Sequence, residues 1–380
     1  MRTVRFGIIG LGLMGREFGS AVARWCHLLE MNARPEIVAI CDTNNGLFAW
    51  FRDNFPTIKL VTSDYRQLLA DPDVEAVYCA VPHNLHQPIY TDIIAAGKHL
   101  LGEKPFGIDQ QANAAINEAI RRHPQVFVRS TSHFPFFPAM QRLCRMIEQK
   151  AFGQIIEVNS GFLHSSDLDP AKPINWKRIV KINGEYGCLG DLGMHACHVP
   201  FKAGWYPRTV RAILSNLVKQ RPDRQGNPTP CETWDNATLL CDAMDPDSGE
   251  PFPLTIKTQR IAPGETDTWY LDVKGMKASA RWSSANPRRL DVLEYTGGEQ
   301  CWRRIDTGWE AAFRGITGGI FEFGFTDAVQ QLWAAFLHEL TEGTPKSRFA
   351  ACVTPEEVAY SHRLFTAALA SQANGTVERV

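Results

Sequence analysis

Hydrophobic and polar positions follow two different rhythms along this chain, and the change falls near residue 130. Before it, short apolar runs at 4–9, 37–41, 74–81 and 99–101 end in turn residues, and helical spacing follows, as through Phe18, Val22 and Leu29. Continuous apolar runs suit strands buried on both faces, and strands alternating with helices predict a doubly wound parallel sheet. A helix is expected over 87–96, closed by Gly97; another runs from Asp109 to residue 122, and a strand at 126–129 ends the alternation. Beyond it, one helix at 139–149 leads into period-two runs at 154–163, 210–218, 235–241, 254–261, 269–273, 278–282 and 290–295, with turns at Gly275 and Gly297-Gly298. Lacking helices between them, these strands predict an open, mostly antiparallel sheet. Helices at 326–342 and 354–374 finish the chain, the second opening on the capping box Thr354-Pro355-Glu356-Glu357. The pattern thus predicts an α/β domain over 1–130 and an α+β domain over 131–380, with the last helix, about 354–374, free to pack back on the first. Residues 219–230, rich in Pro, Arg and Gly, read as a flexible loop.

Length and charge narrow the partners. At 380 residues the chain exceeds a single core, and its formal charge of -1 provides no field for nucleic acid or an anionic membrane. No apolar run reaches the ~20 residues of a membrane span, and residues 1–6 lack a signal-peptide pattern, so a cytoplasmic protein is expected. Ten scattered cysteines without a Cys-x-x-Cys pair read as reduced and structural. A small-molecule partner fits best.

The first apolar run ends in Gly10-Leu11-Gly12-Leu13-Met14-Gly15 and passes into a helix. A strand, a glycine turn and a helix in that order mark a dinucleotide site: Gly10 permits the turn, Gly12 admits the pyrophosphate, and Gly15 lets helix and strand pack closely. Leu13 and Met14 share the turn, whose helix N-terminus offers free N–H groups to phosphate. Asp42, after the second run, would accept from an adenine-ribose hydroxyl and repel a 2′-phosphate; no Arg or Lys follows in its loop, so NAD is expected rather than NADP. Capping the turn before Thr43-Asn44-Asn45-Gly46 is the competing, less favoured role for Asp42. Pro82, His83 and His86, after the strand at 74–81, are candidates for the nicotinamide side.

Two further segments carry chemistry. Gly102-Glu103-Lys104-Pro105 closes a strand in a charged pair, at the sheet edge where ligands of such folds bind, so Lys104 is the first catalytic candidate and Glu103 a cofactor neighbour; a plain Glu103–Lys104 surface pair is the competing view. Asp191 and His195, spaced i,i+4 in a glycine-rich segment, would share one helix face and supply a tunable proton acceptor. A metal site from Asp191, His195, His198 and Cys188 is set aside because the dinucleotide already supplies an electrophile. Trp176 and Lys177 lie between a strand and that helix, placed to cover sugar or nicotinamide, and His133, His164, Tyr186 and Arg178 are candidates for hydroxyl recognition.

Together, the glycine turn, Glu103-Lys104-Pro105 and the segment bearing Asp191 and His195 resemble the Gfo/Idh/MocA oxidoreductases over nearly the whole chain. The resemblance implies an N-terminal Rossmann domain, a C-terminal α/β domain whose open sheet serves a homodimer or homotetramer, and a Lys104, Asp191, His195 catalytic group. It also implies a carbohydrate or polyol substrate and NAD(P)-dependent dehydrogenation of a CH–OH group. His133 stands where the family often has Asn-x-Arg, and His198 where it often has Asp, so the substrate does not transfer with the resemblance. Two alternatives stay open: a retained-NAD enzyme of elimination, epimerisation or glycoside cleavage without net redox, and a non-catalytic NAD-binding regulator.

Overall fold

The computed structural model describes residues 1–308, 311–317, 319 and 321–380. Its first half alternates β1 (Arg2–Ile9), α1 (Leu13–Ala23), β2 (Ala33–Cys41), α2 (Phe48–Asn54), β3 (Leu60–Thr62), α3 (Tyr65–Ala70), β4 (Ala76–Cys79), α4 (His86–Ala95), β5 (His99–Gly102), α5 (Gln110–Arg122) and β6 (Val128–Ser130). The six strands pair in parallel in the order β3-β2-β1-β4-β5-β6, so the chain reverses direction across the sheet between β1 and β4, where a crevice opens. Asp109 caps α5 by accepting from Ala112 N at 2.7 Å, as its position predicts. The elements that periodicity did not announce, α2, β3 and α3, are seven, three and six residues long. That is too short to show a repeat.

The second half holds α6 (Pro138–Glu148), β7 (Ile155–Leu163), α7 (Val180–Asn183), α8 (Met194–Lys202), β8 (Pro207–Ser215), β9 (Gln220–Pro222), β10 (Pro228–Pro230), β11 (Asn236–Met244), β12 (Pro251–Gln259), β13 (Thr268–Gly275), β14 (Ala278–Ser283), β15 (Arg289–Glu294), β16 (Arg303–Asp306), α9 (Phe325–Glu342), α10 (Pro355–Asn374) and β17 (Glu378–Arg379). Nine strands form one sheet in the order β16-β15-β14-β13-β7-β12-β11-β8-β17. All its pairs are antiparallel except β7–β12, which run parallel because a long crossover through α7, α8 and β8 to β11 separates them. Residues 219–230 are not an unstructured loop: β9 and β10 pair as a ribbon, and Asp223 closes its turn by accepting from the N–H groups of Gln225 and Asn227, each at 2.8 Å.

Helices α6, α8 and α10 cover one face of this sheet around Trp269, Trp282 and Phe134; burying each such ring contributes on the order of 2 kcal/mol. On the opposite face Ile156, Ile213 and Leu240 remain exposed. The last two helices reach back across the molecule. Trp333 of α9 lies 4.6 Å from Phe18 and 4.5 Å from Tyr78, so α9 completes the core beneath the parallel sheet. Helix α10 packs on both β8 and α5, and His362 within it donates from Nε2 to the Pro105 carbonyl at 2.8 Å. The Lys104 strand end is thereby clamped from the C-terminal side.

Candidate active site

Each glycine of the turn meets a different demand. Gly10 has φ +94°, and a Cβ there would lie 2.3 Å from the Ala80 carbonyl oxygen; a Cβ on Gly15 would come equally close to the Gly10 oxygen. A Cβ on Gly12 would meet nothing within 4 Å, which leaves room for a phosphate at the uncapped N-terminus of α1. Asp42 is tied to this turn: Oδ2 accepts from Leu11 N at 2.7 Å, and Oδ1 accepts from Asn44 N at 2.8 Å. It therefore caps its own loop and keeps spare lone pairs for a ribose hydroxyl.

From the turn a cleft of about 640 Å³ runs to the start of α8. It gathers Gly12, Leu13, Met14, Pro82, His83, Glu103 and Lys104 from the parallel sheet with His133, His164, Trp176, Lys177, Asp191 and His195 from beyond it. Tyr186 and His86 do not reach it. The Tyr186 hydroxyl is spent on Thr366 at 2.7 Å within the core, and His86 lies behind the Pro82 turn, stacked on Tyr90 with Nε2 donating to the Val81 carbonyl at 3.1 Å. Arg178 is fully buried on Asp167 and Asp235, away from the cleft.

Lys104 does not pair with Glu103. Its ammonium donates to the Asp191 carboxylate at 2.8 Å and to the Asp191 backbone carbonyl at 2.7 Å, whereas Glu103 accepts from the Tyr78 hydroxyl at 2.8 Å. The Lys104–Pro105 peptide is cis. Burial pushes the Lys104 ammonium down to about 8, Glu103 opposing the fall and Arg260 adding to it. Asp191, 1% exposed, also holds Lys177 at 3.1 Å and Arg260 through its Oδ2.

Asp191 sits in a π-helical turn, Leu189–Gly193, rather than in an α-helix, and α8 begins only after it. Among the described residues it makes no hydrogen bond to His195. The imidazole is held by Ser132, whose Oγ lies 3.1 Å from Nδ1, and by the rings of Phe134 and Phe162 at 5.4 and 5.6 Å. Burial first, then the positive Lys104, drives the His195 pKa well below its ordinary value, so the ring is neutral at physiological pH with Nε2 left for the cleft. His133 and His164 are likewise pushed down to about 3 by burial. Trp176 stands edge-on to His83 at 4.9 Å. Among the described residues no three His, Cys, Asp or Glu side chains converge as a metal site.

Sequence reasoning overlooked Ser132, Arg260 and Trp333. Ser132 follows β6, so the rule that ligands gather beyond strand ends could have found it. Arg260 follows β12 with no telling spacing, and Trp333 looks like any core residue of an amphipathic helix although it lines the cleft.

Comparison with known proteins bears on the same residues. Residues 4–130 match the model of the Gfo/Idh/MocA family, described as an oxidoreductase family with an NAD-binding Rossmann fold. The chain is 29% identical over 228 residues to levoglucosan dehydrogenase of Pseudarthrobacter phenanthrenivorans, covering 60% of this chain and 57% of the relative. It is 29% identical over 194 residues to trans-1,2-dihydrobenzene-1,2-diol dehydrogenase of Mus musculus, covering 50% and 54%. It is also 26% identical over 173 residues to a glycosyl hydrolase family 109 protein of Shewanella, covering 43% and 36%. The chain thus spans little more than half the length of the first two relatives, and less of the third. In fold, the chain superposes on a levoglucosan dehydrogenase solved with NADH and L-sorbose, at TM-score 0.86 and 22% identity over 100% of this chain and 99% of that one. An oxidoreductase domain protein from Kribbella flavida gives TM-score 0.87 at 20% identity over the full length of both chains.

Fluorescence titration is expected to show tighter binding of NAD than of NADP, because the Asp42 carboxylate repels a 2′-phosphate. Asp42→Ala should shrink that preference by on the order of tenfold. Equal or tighter NADP binding by the unaltered protein would contradict the assignment.

Proposed function

We propose that the protein is an NAD-dependent oxidoreductase that transfers a hydride between a secondary alcohol carbon of a sugar, polyol or related carbohydrate and nicotinamide. What carries this is the convergence of Lys104 and His195, 91 positions apart in the numbering, on the cleft that the glycine turn opens into. The relatives named as dehydrogenases of levoglucosan and of a dihydrodiol, and a neighbour solved with NADH, support the same chemistry.

NAD, when bound, supplies the hydride acceptor. The open space at Gly12 and the free N–H groups of α1 suit its pyrophosphate, and Asp42 suits its adenine ribose. The chain's own residues then handle the hydroxyl. Lys104 donates to the reacting oxygen and stabilises alkoxide character, while neutral His195 accepts the proton at Nε2. For that, Nδ1 must carry a hydrogen and donate it to Ser132, which selects the productive tautomer. Asp191 positions Lys104 rather than the imidazole, since its oxygens are taken by cations. Release of NADH in step with product distinguishes this function from the redox-neutral cleavage that the family 109 likeness raises.

We also place the protein in the cytoplasm as a homodimer or homotetramer. All ten cysteines are free, eight of them buried, which suits a reducing compartment, and no helix among the described residues is long and apolar enough to cross a membrane. The exposed Ile156, Ile213 and Leu240 mark the sheet face that a second copy would cover. Light scattering should give a multiple of the chain mass at micromolar concentration. A monomer there would refute the assembly.

Lys104→Met should lower kcat by on the order of a hundredfold or more with NAD affinity nearly unchanged, because one oxyanion-type donor is lost. In the unaltered enzyme the alcohol-oxidation rate should hold steady through neutral pH and fall as pH rises through about 8, where Lys104 loses its charge. That alkaline limb should vanish in the variant. Near-normal turnover in Lys104→Met, or reduced thermal stability with full turnover per folded molecule, would reject the role.

A further inference from the structure

The wall of the cleft around Asp191 is over-supplied with positive charge. Lys104 and Lys177 lie 2.8 and 3.1 Å from its two oxygens, and Arg260 shares the second. Behind it, Asp167 takes Arg178 at 3.0 Å, Lys172 at 3.2 Å and Arg260 at 3.5 Å, and Asp235 takes the other branch of Arg178. Among the described residues Arg221, also buried, donates only to backbone carbonyls, of Asp167, Asp169 and Lys172. The largely buried charges balance, Lys104, Arg178, Arg221 and Arg260 against Glu103, Asp167, Asp191 and Asp235, and the surplus is Lys177 and Lys172, whose side chains are 33% and 41% exposed. Lys177, on the cleft side of that surplus, is placed to meet an anionic group.

The excess is presented to the cleft. Lys177 lines it with a side chain one-third exposed, and its ammonium keeps donors beyond the one given to Asp191. His164, nearby on the same wall, accepts from Ser166 N at Nδ1, 3.3 Å away, so its hydrogen is on Nε2. Three further polar atoms of cleft-lining residues, Thr131 Oγ1, His133 Nε2 and Trp333 Nε1, are buried without a hydrogen-bond partner among the described residues, in side chains more than nine-tenths buried. Unsatisfied groups of this kind point to a polar ligand. A dinucleotide's phosphates are met by the glycine turn, so they leave these cations unmatched.

We propose that the substrate is a sugar acid, an aldonate or uronate, whose carboxylate is held by Lys177 and the Nε2–H of His164 while a secondary hydroxyl lies against Lys104 and His195. This rests on the dehydrogenase function proposed above. The step balances without further reactants: the carbinol C–H bond gives its hydride to NAD, the O–H proton passes to His195, a carbonyl forms, and the carboxylate is unchanged. A carboxylate suits the site better than a phosphate, because the turn Trp176–Arg178 offers no free amide cradle; Lys177 N already donates to Asn175 Oδ1 at 2.9 Å. Because a bound carboxylate favours protonated Lys177, its affinity should weaken as pH rises.

The test is a panel of matched compounds, neutral hexoses and polyols against the corresponding aldonates, uronates and sugar phosphates, supplied with NAD to the full-length protein and followed by NADH absorbance. Sugar acids should exceed their neutral counterparts in kcat/KM by on the order of tenfold to a hundredfold. Lys177→Met, whatever it costs every substrate through Asp191, should raise KM for the acids by a further factor of that size, so that the ratio of acid to neutral kcat/KM collapses toward one. Neutral compounds oxidised as well as the acids, or phosphates preferred over carboxylates, would overturn the inference while leaving the dehydrogenase intact. If nothing in the panel is oxidised, thermal shift of the NADH-loaded protein decides. Selective stabilisation by sugar acids that Lys177→Met abolishes would uphold the acid site and count against the dehydrogenase, whereas no selective stabilisation would overturn the inference.

Discussion

The ion pair between Lys104 and Asp191 joins the strand end of the parallel sheet to the helical turn lying against the nine-stranded one. Asp191 is 1% exposed, so its carboxylate persists only because cations from three separate stretches of chain surround it. Withdrawing one member of such a buried set leaves charge uncompensated, at a cost of about 3 to 5 kcal/mol. The same pair holds the Lys104 ammonium at the cleft instead of letting it swing to solvent. Structural support and chemical readiness therefore come from one contact, and His362, donating to the Pro105 carbonyl, braces it from α10.

His195 is governed by the opposite condition. No carboxylate bonds to its ring among the described residues, aromatic faces enclose it, and Lys104 lies near enough to disfavour a second positive charge. A neutral imidazole beside a cation is suited to take a proton as alkoxide character develops, and Ser132 can hold the tautomer without adding charge. Lys104 and His195 thus have their ionisation states pushed apart by their surroundings, the arrangement expected when one group stabilises an oxygen and the other accepts its proton.

Much of this was legible in the sequence because local chemistry dictates it. Gly10, Gly12 and Gly15 each meet a steric demand that the order strand, turn, helix announces, and the period-two runs mark the second sheet wherever one face is buried. What stayed hidden was long-range. Lys104 and Asp191 are 87 positions apart, and nothing in either motif says that Arg260 and Lys177 would share the carboxylate. The i,i+4 spacing of Asp191 and His195 suggested a common helix face, but a π-helical turn intervenes and the two side chains take different partners. Tyr186 looked like a hydroxyl-recognition residue and is a core residue, since a tyrosine signals burial as readily as binding.

The proposed reaction is direct hydride transfer from a carbinol carbon to nicotinamide in the cleft shared by Lys104 and His195. It is tested most directly by following isotope from a substrate deuterated at the carbon that becomes the carbonyl. Deuterium should appear in the reduced nicotinamide of the isolated NADH, with a slowed rate on the labelled substrate. Product formed while the label remains in the carbohydrate or washes into water, with no deuterium in the nicotinamide, would contradict it.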